Sequence, residues 1–169
     1  MAPSTLAPPL TPSDLYAGKG EAPEAGAALP EKLKFNFYLP HEVAVAGEEV
    51  DLVLVPAVTG DFGVMPGHVP TIAQLRPGVV SVHKELDKDV TKYFVSSGFA
   101  FVHEDSSADV CAVEAVPLED LDPEAVTAGL AEYTAKLATA STSGDDYEAA
   151  AAQVGVEVYS AMNAALGDK

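Results

Sequence analysis

From Leu33 onward, apolar and polar residues alternate with a period of two. LKFNFYL places Leu33, Phe35, Phe37 and Leu39 on one face and Lys34, Asn36 and Tyr38 on the other, the pattern of a half-buried strand. Similar short runs follow: VAVA (43–46), EVDLVLV (49–55), GVVSVH (78–83), TKYFVSS (91–97), FAFVH (99–103) and DVCAVEAV (109–116). Turn residues separate them at short intervals, which predicts an antiparallel sandwich or barrel over residues 33–117. At Leu118 the period changes. Asp122 suits an N-cap and Pro123 the first helical position, after which Val126, Leu130, Tyr133 and Leu137 recur as one apolar stripe. Residues 141–144 (STSG) read as a loop, and a second helix is expected from about Asp145 to Leu166 with the stripe Tyr147, Ala151, Val154, Val158 and Met162. Gly155 inside it costs about 1 kcal/mol relative to alanine, so that helix needs a packing partner. A short loop makes the two antiparallel neighbours, and residues 118–169 are predicted to be a helical hairpin.

Charge narrows the partners. The net charge of -17 divides into -2 over residues 1–32, -7 over 33–117 and -8 over 118–169, so the tail is the most acidic part per residue. Such a surface repels phosphate, which argues against nucleic acid and anionic lipid. Hydrophobic residues at 48% and charged residues at 21% are a globular balance. No run of about 18 apolar residues occurs, so direct membrane insertion is not expected, and work at a membrane would need another protein to hold the chain there. Residues 1–32 are rich in proline and alanine and contain no arginine, unlike an arginine-rich, acid-poor mitochondrial presequence. They read as an extended, mature arm that orders only on a partner. The single cysteine, Cys111, excludes an intrachain disulfide framework; in its alternating run it reads as a buried small apolar residue rather than a nucleophile.

The densest candidate for chemistry is residues 60–78, GDFGVMPGHVPTIAQLRPG, with four glycines, three prolines, His68 and the chain's only arginine, Arg76. A phosphate loop would end in Gly-Lys-Ser or Gly-Lys-Thr before a helix; here there is no lysine and the glycines lie between strands. No serine nucleophile elbow occurs, and His41, His68, His83 and His103 lack metal-ligand spacing. Tight turns account for the residues better: Pro66-Gly67 and Pro77-Gly78 each fit the central positions of a type II turn. Taken alone, the residues describe an acidic β-domain and a helical hairpin without a catalytic constellation, which favours a binding or structural protein.

GDFGVMPGHVP followed by LRPG resembles the signature of the small central-stalk subunit of F-type ATP synthases, called delta in mitochondria and epsilon in bacteria and chloroplasts. TKYFVSSGFAFV (91–102) is similar to the mitochondrial form, and the junction LEDLDPEAV stands where the family changes from strands to helices. The likeness covers about residues 33–166. It implies an N-terminal antiparallel β-sandwich of about ten strands and a C-terminal two-helix hairpin, in a subunit that is not an enzyme and carries no cofactor or metal. The subunit would join the gamma subunit to the proton-driven c-ring and transmit rotation for ATP synthesis, peripherally on the matrix side of the mitochondrial inner membrane. By the same resemblance Asp61, flanked by Gly60 and Phe62, is an acidic loop tip meeting the c-ring, while Leu39, His68, Pro70 and Thr71 face gamma. A solvated turn acid and a histidine bonded to its local backbone are the plainer readings of Asp61 and His68.

Two departures from the family bear on regulation. Some bacterial relatives bind ATP on the hairpin through an Ile/Leu-Asp-x-x-Arg-Ala motif, whereas here residues 121–126 read LDPEAV, with alanine for the arginine, so no nucleotide site is expected. A hairpin that extends to inhibit needs basic residues, and from 118 onward there are only Lys136 and Lys169. The expectation is a hairpin that stays folded against the sandwich and a small mitochondrial stalk subunit, epsilon. The alternative is a free regulatory module sensing a nucleotide through the hairpin; a third class is a small β-barrel metalloenzyme.

Overall fold

The computed structural model describes residues 29–86 and 88–167; the first 28 residues of the predicted arm lie outside that range. Ten strands form one continuous sheet: β1 (Leu33–Tyr38), β2 (Val43–Val50), β3 (Leu52–Ala57), β4 (Gly60–Val64), β5 (Thr71–Leu75), β6 (Gly78–Glu85), β7 (Asp89–Val95), β8 (Gly98–Val102), β9 (Ser107–Ala112) and β10 (Ala115–Pro117). Their order is β10-β7-β6-β3-β5-β8-β9-β1-β2, with β4 paired to β3. A 3-10 turn (Leu118–Asp120) follows, then α1 (Pro123–Ser143) and α2 (Asp146–Gly167). Two strands, β4 and β5, lie inside the glycine-rich stretch read above as turns, and the run 109–116 breaks into β9 and β10.

The sheet buries one face by curling on itself until β2 lies against β6. Leu33, Phe35 and Phe37 of β1 are wholly buried at the centre, among Val53, Val55, Val80, Val82 and Val110. The two layers of the expected sandwich are therefore halves of one sheet. Pairing is antiparallel except for β1 and β9, which run parallel from Lys34↔Ser107 to Tyr38↔Cys111. That exception falls where the first strand, β1, lies between β9 and its own hairpin partner β2, joining the two ends of the strand sequence in one sheet.

Asp51, at the β2–β3 corner, ties the opening of the chain to the end of β6. Its carboxylate pairs with Lys32 Nζ at 2.6 Å and accepts from the Leu86 N–H at 2.8 Å. Lys32 also donates to the Lys84 carbonyl at 2.9 Å. The hydrogen bond from Lys32, then that from Leu86, holds the Asp51 carboxyl below the usual carboxylate range, against a smaller opposing effect of burial.

The hairpin begins as its sequence prescribes. Asp122 caps α1, accepting from the Glu124 and Ala125 N–H groups, and Pro123 occupies the first turn. The predicted loop is shorter than expected: Thr142 and Ser143 stay helical, their hydroxyls donating to Ala138 and Ala140 carbonyls, and Gly144 alone turns the chain at φ 74°. Val126 and Ala140 of α1 are buried and Leu130, Tyr133 and Leu137 half-buried, as the stripe predicted. The stripe of α2 matches the expected one in part. Only its N-terminal half departs: Tyr147, Ala151 and Val154 are exposed, while Val158 and Met162 pack inward as expected, joined by Ala152, Ala161 and Ala165.

The two helices approach closely, and reciprocally. A Cβ on Gly155 of α2 would lie 2.1 Å from the Tyr133 ring of α1, and one on Gly129 of α1 would lie 2.2 Å from the Tyr159 ring of α2. The two rings stack at 5.4 Å, and Lys136 Nζ sits 4.7 Å from the Tyr133 centroid. Each glycine is the socket for the other helix's tyrosine. Phe94, Leu118, Leu121 and Ala165 then form a second core, where Val158 and Met162 of α2 cover the outer face of β6, β7 and β10.

Two outcomes follow. Helix propensity alone makes Gly155→Ala stabilising by about 1 kcal/mol, but overpacking against the pinned Tyr133 ring costs about 1–3 kcal/mol; urea melts read by helical circular dichroism should show a net loss, and a gain in stability would refute the socket. Asp51 has a lowered folded-state pKa, so its contribution is present above about pH 3.9 and lost as pH falls through the folded value. The urea midpoints of the parent and Asp51→Asn should therefore differ at neutral pH and converge on acidification, and a gap independent of pH would contradict this.

Candidate functional site

The outward side of β4, β5 and β8 carries apolar residues that no helix covers. β3 and β4 are joined by Val58 and Thr59, with Ala57 opposite Gly60, so the tip of this hairpin is Val58-Thr59. Asp61, expected at a loop tip, instead lies within β4 opposite Pro56. Strand alternation turns Asp61 to solvent and buries Val64, while Phe62 is half-buried at the rim of the main core. Asp61 Oδ1 receives Arg76 Nη2 at 2.6 Å, and the backbone N–H of Arg76 is fixed to the Pro56 carbonyl at 2.9 Å. The carboxylate is thus already paired, by an arginine whose partner the sequence reading did not identify.

Of the two predicted turns, one forms. Gly67 has φ 78° and the His68 N–H bonds the Met65 carbonyl at 3.1 Å, as a type II turn over Pro66-Gly67 requires. The turn is anchored by the Gly67 N–H, which donates to Ser106 Oγ at 2.9 Å; Ser106 is buried and held at φ 62° in the β8–β9 turn. Pro77-Gly78 is no such turn. Gly78 is the first residue of β6, paired with Val95, and glycine is needed because a Cβ there would lie 2.7 Å from the Pro56 Cβ.

His68 stands beside Phe62, ring centroids 5.8 Å apart, and its Nδ1 donates to the Val69 carbonyl at 2.8 Å, the local backbone bond considered from the sequence. Thr71 Oγ1 donates to the same carbonyl at 2.9 Å, across the exposed Pro70. Gly60, Asp61, Phe62, His68 and Thr71 line one open hollow of about 570 Å³ together with Ile72. The residues expected to meet two different partners are therefore adjacent. Leu39 is apart, in a neighbouring hollow with Phe99 and Cys111, and Gln74 lines both.

Cys111 is exposed, contrary to the sequence reading. Ala108, Val110 and Ala112 fill the inward phase of β9, so the cysteine falls on the outward one. Its thiol is pushed up by partial desolvation and secondarily by the Asp109 charge, which disfavours the thiolate a nucleophile needs.

Sequence reasoning also missed several exposed apolar residues of this face: Ile72 at 74% and Val58 at 58% exposed, with Phe99 at 48%. A signal was available in FAFV, where Phe99 and Phe101 alternate with the smaller inward Ala100 and Val102, making a strand that is apolar on both faces. Among the described residues no three His, Cys, Asp or Glu side chains are placed to share a metal ion. The arrangement is an apolar surface with polar edges, suited to docking a protein.

Residues 32–118 match the family of the ATP synthase delta/epsilon chain, beta-sandwich domain. The chain is 56% identical over 159 residues to ATP synthase subunit delta', mitochondrial, of Ipomoea batatas, an alignment covering 94% of this chain and 76% of the relative. It is 41% identical over 140 residues to ATP synthase subunit delta, mitochondrial, of Agaricus bisporus, covering 83% of each. Among solved structures it is similar to a chain in the mitochondrial ATP synthase of Euglena gracilis, described as OSCP/F1/c-ring in rotational state 1. The TM-score is 0.77 and the identity 28%, over 98% of this chain and 99% of that one.

An exposed ion pair is worth at most about 1 kcal/mol, and the Asp61 and Arg76 side chains are 67% and 47% exposed. Arg76→Ala should accordingly lower the unfolding free energy from urea melts by less than that amount; a loss of several kcal/mol would mean that Arg76 holds the corner rather than merely posting Asp61.

Proposed function

Because the chain belongs to the delta/epsilon family of ATP synthase subunits, we propose that the hollow around Phe62, His68 and Ile72 is the surface through which it couples rotor parts. The subunit is structural and non-catalytic, part of the central stalk of the mitochondrial proton-driven ATP synthase, between the gamma subunit and the c-ring. It acts peripherally on the matrix side, and among the described residues no helix is long and apolar enough to cross a membrane. The carrying observation is the agreement along 94% of the chain with a mitochondrial delta' subunit at 56% identity.

In the residue-level reading, Gly60, Asp61 and Phe62 contribute the c-ring contact, and His68, Pro70, Thr71 and Leu39 the gamma contact. Their support is physical. β4 and β5 are fastened to the main core through Val64 and Leu75, each 1% exposed, so the exposed residues between them are held on a stiff base. Stiffness is what torque transmission requires.

The hairpin serves as a brace for the opposite side of the sheet, docked on β6, β7 and β10, and offers a place for the small stalk subunit epsilon. A nucleotide-sensing role finds little support there. Leu121 and Val126 are buried, the Asp122 carboxylate is spent on the helix cap, and Lys136, about 20 Å farther along α1, is paired with Glu132 at 2.7 Å.

Val58→Asp with Ile72→Asp tests the face. Both positions are exposed, so the fold should be retained within about 0.5 kcal/mol per site, while loss of central apolar contacts worth about 2 kcal/mol should weaken stalk assembly about thirtyfold. Incorporation into the synthase, read by native electrophoresis together with proton-driven ATP synthesis, should fall. Undiminished incorporation of the folded variant would reject this surface as the contact.

A further inference from the structure

Among the described residues one non-glycine residue, Ser106, has a positive φ, at 62°. It closes the connection from β8 to β9, where the His103 N–H bonds the Ser107 carbonyl at 2.9 Å around residues 104–106. The last residue of such a three-residue hairpin loop takes the left-handed conformation, a position suited to glycine and strained for serine. Neighbouring bonds hold that strain in place. Asp105 Oδ1 accepts from the Ser107 N–H at 3.0 Å and from the Ser107 hydroxyl at 2.6 Å, and the Lys34 N–H donates to the Ser106 carbonyl at 3.1 Å. Glycine at position 106 would keep all of these, since none involves the Ser106 side chain. What glycine would lose is the hydroxyl, which is buried and accepts from the Gly67 N–H at 2.9 Å, 39 positions earlier.

That bond reaches the docking surface. Residues 65–70 connect β4 to β5 and carry His68; the turn from Met65 to His68 closes through its own backbone bond at 3.1 Å, and His68 Nδ1 and Thr71 Oγ1 both bond the Val69 carbonyl. These local bonds shape the connection. The Gly67–Ser106 bond ties it across to the β8–β9 turn, at the residue next to His68, whose ring lies 5.8 Å from that of Phe62. Strained residues persist where their surroundings over-determine them, and they gather at functional positions. The strain at Ser106 and the net gain from one neutral hydrogen bond are of the same order and oppose each other, so the serine adds little to the stability of the free fold. We propose that Ser106 is a positioning residue: its hydroxyl seats the His68 turn so that Phe62, His68 and Ile72 present one arrangement before a partner arrives. Less ordering is then left to be done on binding. The inference rests on the docking surface proposed above and deepens it, naming a buried residue outside the hollow that sets its geometry.

Two variants of the full-length chain separate positioning from stability. Ser106→Gly removes the strain and the hydroxyl together, whereas Ser106→Ala removes the hydroxyl alone. The urea midpoint of Ser106→Gly should therefore be no lower than that of the parent, and that of Ser106→Ala should be lower. In both, the Gly67 and His68 amides should shift in NMR spectra, and the Gly67 N–H should exchange about fivefold faster, the factor that one net hydrogen bond represents. Incorporation into the synthase in competition with the parent chain, read by native electrophoresis, should fall by a similar factor in both variants although their stabilities differ. A serine that is merely structural predicts that incorporation follows stability, with Ser106→Gly assembling as well as the parent. That result would overturn the proposal, as would unchanged exchange at Gly67. Val58→Asp with Ile72→Asp serves as the control: impaired incorporation there beside normal incorporation of both Ser106 variants rejects the positioning role and keeps the surface, whereas normal incorporation of all three rejects the surface as well.

Discussion

A sheet of ten strands has two faces to satisfy, and curling satisfies only one. Phe35, Phe37 and the valines of β3, β6 and β9 close the inner face against itself, leaving the outer face to be covered by whatever else the chain supplies. What it supplies is one hairpin of two helices, about long enough to cover β6, β7 and β10 through Phe94, Val79 and Val116. The outer face of β5, β8 and β9 is left without helices, and there the exposed large residues Ile72 and Phe99 accumulate. Division of the outer face into a braced half and a bare half is thus a consequence of how little helix follows so much sheet. The bare half is the half that can serve a partner.

How far the sequence revealed this depended on whether a residue's environment was set locally. Alternation located the first strand and its buried face because Leu33, Phe35 and Phe37 repeat without interruption. The helix caps were legible for the same reason: Asp122, Pro123 and Gly144 act on their own neighbours. Where the environment came from distant chain, reading failed. Gly78 looked like a turn residue and is a strand residue pressed against Pro56, twenty-two positions earlier. Cys111 was assigned the wrong phase, since a run apolar on both faces does not say which face is the core. The α2 stripe held at Val158 and Met162 but not in the first half of the helix, where Tyr147 and Val154 are exposed and Gly155 packs as a socket for Tyr133. The candidate site residues were nominated by family likeness alone. Their adjacency was not legible, because it depends on β4 and β5 flanking a single hollow.

The reciprocal glycine–tyrosine contacts also bear on what the hairpin can do. Separating α1 from α2 would empty two sockets at once and expose two stacked rings, and lifting the pair off the sheet would expose Phe94 and Leu118 as well. Burial of side chains of this size contributes about 1.5–3 kcal/mol each. Against that, the hairpin has few basic groups with which to win compensating contacts on an acidic surface. The energetics favour a brace that stays in place over a lever that swings.

Asp61 presents the remaining question of specificity. A partner cation approaching it must compete with Arg76, which already holds the carboxylate at 2.6 Å. Were this pair buried, exchange would strand a charge at a cost of several kcal/mol. It is exposed, so water repays most of what is lost, and the pair itself contributes at most about 1 kcal/mol. Exchange of partners is therefore cheap, and Arg76, once released, is free to meet an acid or a carbonyl on the incoming surface. On the proposed docking surface the ion pair would balance the Asp61 charge in the isolated subunit and still offer both charges to a partner, beside the exposed apolar Ile72 and Val58.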